Sequence, residues 1–125
     1  MITPKIITLC GSTRFMKEFR EVERFLTLEG CIPLPPAIFG KSEGLEYTEE
    51  LAKHLWELHL EKIELSDGIF IVNPNGYLGD STNKEIEFAK QHSKSIRYYS
   101  EEFEEINKSN DSLESLKQKP NLFKP

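Results

Sequence analysis

Apolar residues recur along this chain in two ways, as short unbroken runs and as stripes at helical spacing. Lys5 to Leu9 (KIITL) is a short run rich in β-branched residues and predicts a first strand buried on both faces. Phe15, Phe19, Val22, Phe25 and Leu26 then recur at steps of three and four, the signature of an amphipathic helix, which Gly30 closes. Cys31-Ile32-Pro33-Leu34 predicts a second strand, confined to a sheet edge by Pro33. Residues 35–47 form a long loop with two prolines and two glycines, a pattern suited to a binding loop or lid. Thr48 caps the next predicted helix, with Glu49 and Glu50 in its first turn. Leu51, Leu55, Leu58, Lys62 and Leu65 follow one stripe of it, with Trp56, His59 and Ile63 beside. Ile69 to Asn73 predicts a third strand, Thr82–His92 a third helix, Ser95 to Tyr99 a fourth strand and Glu101–Lys117 a last helix. Residues 118–125 are expected to fray.

The alternation β-α-β-α-β-α-β predicts one parallel sheet of about four to five strands with helices on both faces. That gives a single three-layer α/β domain over residues 1–100, followed by the helix and tail at 101–125. Three loops, 10–14, 35–47 and 73–82, then share the C-terminal edge of the sheet. If the first strand lies between the second and third, the strand order reverses beside it, and ligands bind in the crevice at that point. That crevice would gather Ser12, Arg14, Tyr77 and Glu85.

Composition narrows the classes. The chain has 125 residues, enough for one core. A net charge of −5 argues against a general nucleic-acid surface. No apolar run approaches the ~20 residues of a membrane span. The first strand begins almost at once, without a signal-peptide pattern, so a cytoplasmic location is expected. Cys10 and Cys31 fit no zinc spacing and read as small buried core residues; no metal and no cofactor are expected.

The candidate chemistry lies at two strand–helix junctions. In Gly11-Ser12-Thr13-Arg14, the glycine allows close approach to backbone, the helix start offers N–H donors, and Arg14 offers a bidentate fork for a phosphate. The same residues also suit a plain helix cap. The repeated glycines of a dinucleotide fingerprint and the GK[ST] of a P-loop are missing. The second junction, Asn73-Pro74-Asn75-Gly76-Tyr77-Leu78-Gly79-Asp80-Ser81-Thr82-Asn83-Lys84-Glu85, leaves a buried strand, breaks at Pro and Gly, and enters a helix. Glu85 is expected in the first turn, where the helix dipole keeps it ionised. Thr82-x-x-Glu85 also fits a capping box, in which Glu85 merely bonds back to the backbone. Tyr77, between Gly76 and Gly79, would stack a base or sugar face. Asp67 reads as structural, Glu46 and Asp80 stay open as acid/base candidates, and His59, Lys62 and Trp56 read as packing or surface.

With these residues in place, the chain resembles the nucleoside 2-deoxyribosyltransferase-like superfamily, most of all its small N-glycosidase branch. Leu9-Cys10-Gly11-Ser12-Thr13-Arg14 is similar to that branch's opening strand and Gly-Ser-x-Arg turn. His59 to Asp67 is similar to its helix ending in an acid before the third strand. Gly79 to Ala89 is similar to its Gly-rich segment with a nucleophilic Glu. Together they span about residues 6–98. The resemblance implies a flavodoxin-like, Rossmann-like fold, a homodimer or larger assembly, Glu85 as nucleophile at the sugar C1', and Ser12, Arg14 and Ser81 as sugar or phosphate ligands. The substrate-binding set expected is Gly11, Ser12, Arg14, Asn73, Tyr77, Gly79 and Ser81, and the expected partner is a small nucleoside or nucleotide, with no nucleic acid and no membrane. Two departures stand out. Lys62 occupies a position where the family often has Asp, and Asp80 to Lys84 replaces the commoner Gly-x-Gly-[Tyr/Met] before the Glu.

The resulting expectation is an N-glycosidic bond hydrolase or transferase. A non-catalytic nucleotide-binding module of the same fold is the alternative, and an interaction or assembly protein a third reading.

Overall fold

The computed structural model describes residues 3–37, 44 and 46–108. Its elements run β1 (Ile6–Cys10), α1 (Met16–Leu28), β2 (Ile32–Leu34), α2 (Glu49–Leu65), β3 (Gly68–Ile71), α3 (Asp80–Gln91), β4 (Ser95–Tyr98) and α4 (Tyr99–Lys108). The four strands form one sheet in the order β2-β1-β3-β4, and every pairing is parallel. This is a single flavodoxin-like α/β domain, as the alternation of runs and stripes predicts. β1 lies between β2 and β3, so the order reverses beside it.

Strand pleat divides the core into two layers. Ile7 and Leu9 of β1, with Phe70 and Val72 at β3, face Phe19, Val22, Phe25 and Leu26 of α1 and Tyr99 and Phe103 of α4. Cys10 of β1, with Ile69 and Ile71 of β3, faces Ile63 of α2 and Ile86 and Ala89 of α3. The chain turns one way from β1 to β2 and the other way afterwards, which puts α1 opposite α2 and α3. Pro33 sits on the edge strand, where its missing N–H costs no ladder bond. At the far end of the sheet, Asp67 Oδ2 accepts from the Ile6 N–H at 2.7 Å, the structural role its position suggests.

Helix α2 is longer than the strand it serves. Its 17 residues make a rod of about 25 Å, whereas the four residues of β3 span about 13 Å. The helix ends beside the start of β3, so its N-terminal half runs past the C-terminal edge of the sheet. Thr48 caps it, accepting from the Leu51 N–H at 3.1 Å. The packed face is the line through Ile63, which is fully buried. Leu51, Leu58 and Leu65 on the predicted stripe stay exposed, at 38%, 47% and 74%.

The last helix begins two residues earlier than predicted, at Tyr99, and is described to Lys108. The rest of the predicted helix and the tail at 118–125 lie outside the described residues, as does part of the 35–47 loop. No helix among the described residues is long and apolar enough to cross a membrane.

Candidate functional site

The site starts from the face rule of β1. Thr8 and Cys10 are two apart and therefore point to the same side, towards α2 and α3. The helix runs antiparallel to the strand, so climbing β1 means stepping back along α2. Thr8 Oγ1 meets the C-terminal end of the helix, donating to the Lys62 carbonyl at 3.1 Å and lying against Ser66 Oγ. One strand period higher, Cys10 Sγ meets His59 Nε2 at 3.4 Å. His59 is thus level with the C-terminal edge of the sheet although it lies past the middle of its helix. The expectation that this ring is packing or surface rests on a helix ending flush with the sheet, and α2 overshoots it.

Glu85 approaches the same point from α3. Its Oε1 lies 3.2 Å from His59 Nε2, with side chains only 17% and 9% exposed for His59 and Glu85. Its other oxygen, Oε2, is buried without a hydrogen-bond partner. Cys10 Sγ, His59 Nε2 and one Glu85 oxygen all lie within 4.8 Å of one another. Burial, reinforced by the neighbouring Glu85 carboxylate, pushes the Cys10 thiol well above the usual cysteine range, so the sulfur carries its proton at neutral pH. Lys62, one turn along α2, donates to the Pro35 carbonyl at 3.1 Å and ties the start of the long loop to the helix. Partial burial lowers its pKa from the ordinary lysine value.

The placement of Glu85 corrects two expectations. α3 begins at Asp80 with Gly79 as its cap, so Glu85 is the sixth helical residue and lies beyond the first turn. Thr82 is inside the helix and 5% exposed, so the Thr82-x-x-Glu85 capping box does not form. The reason is tertiary. Thr82, Glu85, Ile86 and Ala89 make the buried face of α3, and the helix extends towards Gly79 to seat it. The side chain does not fold back on its own backbone. Nor does it stand in an open cleft, being only 6% exposed.

The remaining candidates form a second group. Arg14 stacks its guanidinium 4.0 Å from the centre of the Tyr77 ring and 4.8 Å from that of Phe15. Phe15 and Tyr77 meet edge to face at 5.8 Å. Ser12 caps the short 3-10 turn Thr13–Phe15, accepting from the Arg14 N–H. Gly11, at φ +146°, is pressed against Val72. Loops 10–14 and 73–79 therefore meet as predicted, with Tyr77 under an arginine. Asn73 is buried and its amide is occupied, donating to Ser100 Oγ at 2.9 Å and accepting from the Ser100 N–H at 3.0 Å. Gly79 faces the Tyr77 ring, and Ser81 is exposed in the first turn of α3. Glu46 is exposed, as is Asp80 in the first residue of α3.

No protein-family model matches the sequence, and no curated protein is significantly similar to it. The site has to be read from its own chemistry. That chemistry is an oriented carboxylate with one oxygen held by an imidazole, next to a buried thiol, at the point where the strand order reverses.

Proposed function

We propose that the protein cleaves or transfers the N-glycosidic bond of a nucleoside or nucleoside 5'-phosphate, with Glu85 as nucleophile. The observation that carries this is the division of labour within one carboxylate. Oε1 is held by His59 Nε2 at 3.2 Å, while Oε2 is without a partner in a buried setting. An oxygen stripped of hydrogen bonds is a better nucleophile than a solvated one, and a fixed partner oxygen orients it.

In this reading Oε2 forms a bond to the sugar C1'. The C1'–N bond breaks, and its electron pair leaves with the base, which takes a proton from water. Water or a second base then attacks C1' and frees Glu85. Two displacements give net retention at C1'. His59 is a positioning residue, since its Nε2 touches the carboxylate rather than the departing base. It also sits one helical turn before Lys62, where the family resemblance leads one to expect an acid. Arg14 and Tyr77 line the loop rim, where a phosphate or base would dock.

The burial of Glu85, only 6% exposed, favours a second reading, a nucleotide-binding module without turnover. One experiment separates the two. The protein is incubated with a panel of nucleosides and 5'-phosphates, and free base is followed by chromatography. Release by the wild type and its loss in Glu85→Gln, at a temperature where the variant is still folded by its own unfolding curve, is the expected result. Ligand-dependent thermal stabilisation without release of base overturns the enzymatic reading in favour of the binding module.

A further inference from the structure

Cys10, His59 and Glu85 converge in a way that hydrogen bonding alone leaves incomplete. Both short contacts fall on the same ring atom: His59 Nε2 is 3.4 Å from Cys10 Sγ and 3.2 Å from Glu85 Oε1. A ring nitrogen has one in-plane position, filled by a proton or by a lone pair. A proton there serves Glu85 Oε1, and the Cys10 S–H can then turn only to the same carboxylate, which already lies beside it. Because both contacts use Nε2, a relay through the ring from sulfur to carboxylate is also excluded, for such a triad engages both ring nitrogens. Glu85 Oε2 remains buried with no partner at all.

A cation resolves all of these at once. Zinc–sulfur bonds of about 2.3 Å and zinc–nitrogen or –oxygen bonds of about 2.0–2.2 Å, at tetrahedral angles, put ligand atoms roughly 3.3–3.6 Å apart. The contacts of 3.4 and 3.2 Å lie close to that spacing, and the third edge, from sulfur to carboxylate oxygen, is within 4.8 Å and closes as the cation binds. The free Glu85 oxygen then becomes a second carboxylate contact or a partner for a metal-bound water. A sulfur, nitrogen and oxygen donor set suits a borderline metal such as zinc rather than magnesium or calcium. Three protein ligands also leave a fourth position open, the pattern of zinc sites that bind an exchangeable molecule.

We propose that Cys10, His59 and Glu85 form a binding site for a borderline divalent cation of the zinc class. As the metal–sulfur bond forms, the Cys10 proton passes to solvent. Site formation is independent of the glycosidase reading. Where that reading also holds, the metal occupies the nucleophile, and zinc inhibits release of base.

Cobalt(II) serves as the probe, because it takes zinc geometry and reports a thiolate ligand by a near-ultraviolet sulfur-to-cobalt charge-transfer band. Chelator-treated full-length protein is titrated with cobalt and then with zinc. The expected result is a charge-transfer band that saturates at one metal per chain and is bleached by zinc. Cys10→Ser should abolish the band, while His59→Gln and Glu85→Gln should weaken zinc binding at least tenfold, and Cys31→Ser should leave both unchanged. X-ray absorption of the zinc-loaded wild type tests the ligand set without any variant, and one sulfur with nitrogen and oxygen neighbours is expected. A folded wild type with no such band, a band lost in Cys31→Ser instead, or a sulfur-free zinc shell overturns the proposal. The base-release assay is read separately. It is run on chelator-treated, metal-free protein: a protein that binds zinc but frees no base when metal-free keeps the metal site and loses the glycosidase, and one that frees base without binding zinc does the reverse.

Discussion

Gly11 lies so close to Val72 that a Cβ added to it would stand 2.6 Å from the Val72 carbonyl oxygen. The glycine also holds φ at +146°, where a side chain is strained in any surroundings. It is what lets β1 leave the sheet directly beside the end of β3. Replacing it with alanine is expected to cost about 2–4 kcal/mol, combining backbone strain with overpacking. Urea denaturation would show this as a lower midpoint at unchanged slope.

The pairing of His59 with Glu85 makes a different prediction. Removing either partner strands the other in a buried place, whereas replacing both with apolar residues of similar size does not. Glu85→Met and His59→Leu should each destabilise the fold. The double variant should recover, reaching at least the wild-type stability and up to about 1–4 kcal/mol beyond it. A double-mutant cycle by chemical denaturation checks this. A double variant that simply sums the two losses would mean the groups do not interact.

Asn73 anchors α4 from outside, because its Oδ1 accepts the Ser100 N–H in the first turn of that helix. Such a donor has no partner within its own helix. Asn73→Ala should cost about 1–3 kcal/mol. Hydrogen exchange should quicken selectively in the first turns of α4, while β1 and β3 keep their protection.

Lys62 gives stability a slope with pH. Its pKa is lowered by burial, so in the alkaline range just below the ordinary lysine value of about 10.4 the unfolded chain holds the proton more tightly than the folded one. Stability therefore gains from this group as pH rises, and the burial penalty is fully present at neutral pH. Lys62→Met should flatten the alkaline part of the profile. Denaturation at about pH 7 and about pH 9.5 gives the comparison. An unaltered difference between the two would show that the ammonium is not desolvated.

The layered fold is legible in the sequence because each strand is an unbroken apolar run and α1 carries a clean helical stripe. Even the edge position of β2 is signalled by Pro33. Where sequence and structure part, the cause is competition between local and tertiary demands. Thr82 and Glu85 satisfy a capping pattern, but the helix is set by burying Thr82, Ile86 and Ala89 on one face, and it starts at Asp80 instead. His59 reads as packing or surface only if α2 ends flush with the sheet. A 17-residue helix beside a short strand cannot do so, and that difference in length is the signal that places its ring at the edge. The burial of Cys10 is visible in its apolar run, yet nothing local connects it with positions 59 and 85. Arg14 and Tyr77 are expected in one crevice, and their stacking comes from the adjacency of β1 and β3.

The trio also has a bearing on how the protein comes into being. Cys10 and His59 stand 49 positions apart, and Glu85 arrives from a third segment. None of them is brought near the others by any hairpin or single helix. They meet only after β1 has been enclosed by its neighbours, a long-range and comparatively slow event. A nascent or clipped chain thus carries the three groups but not their cluster, which comes together only with the sheet.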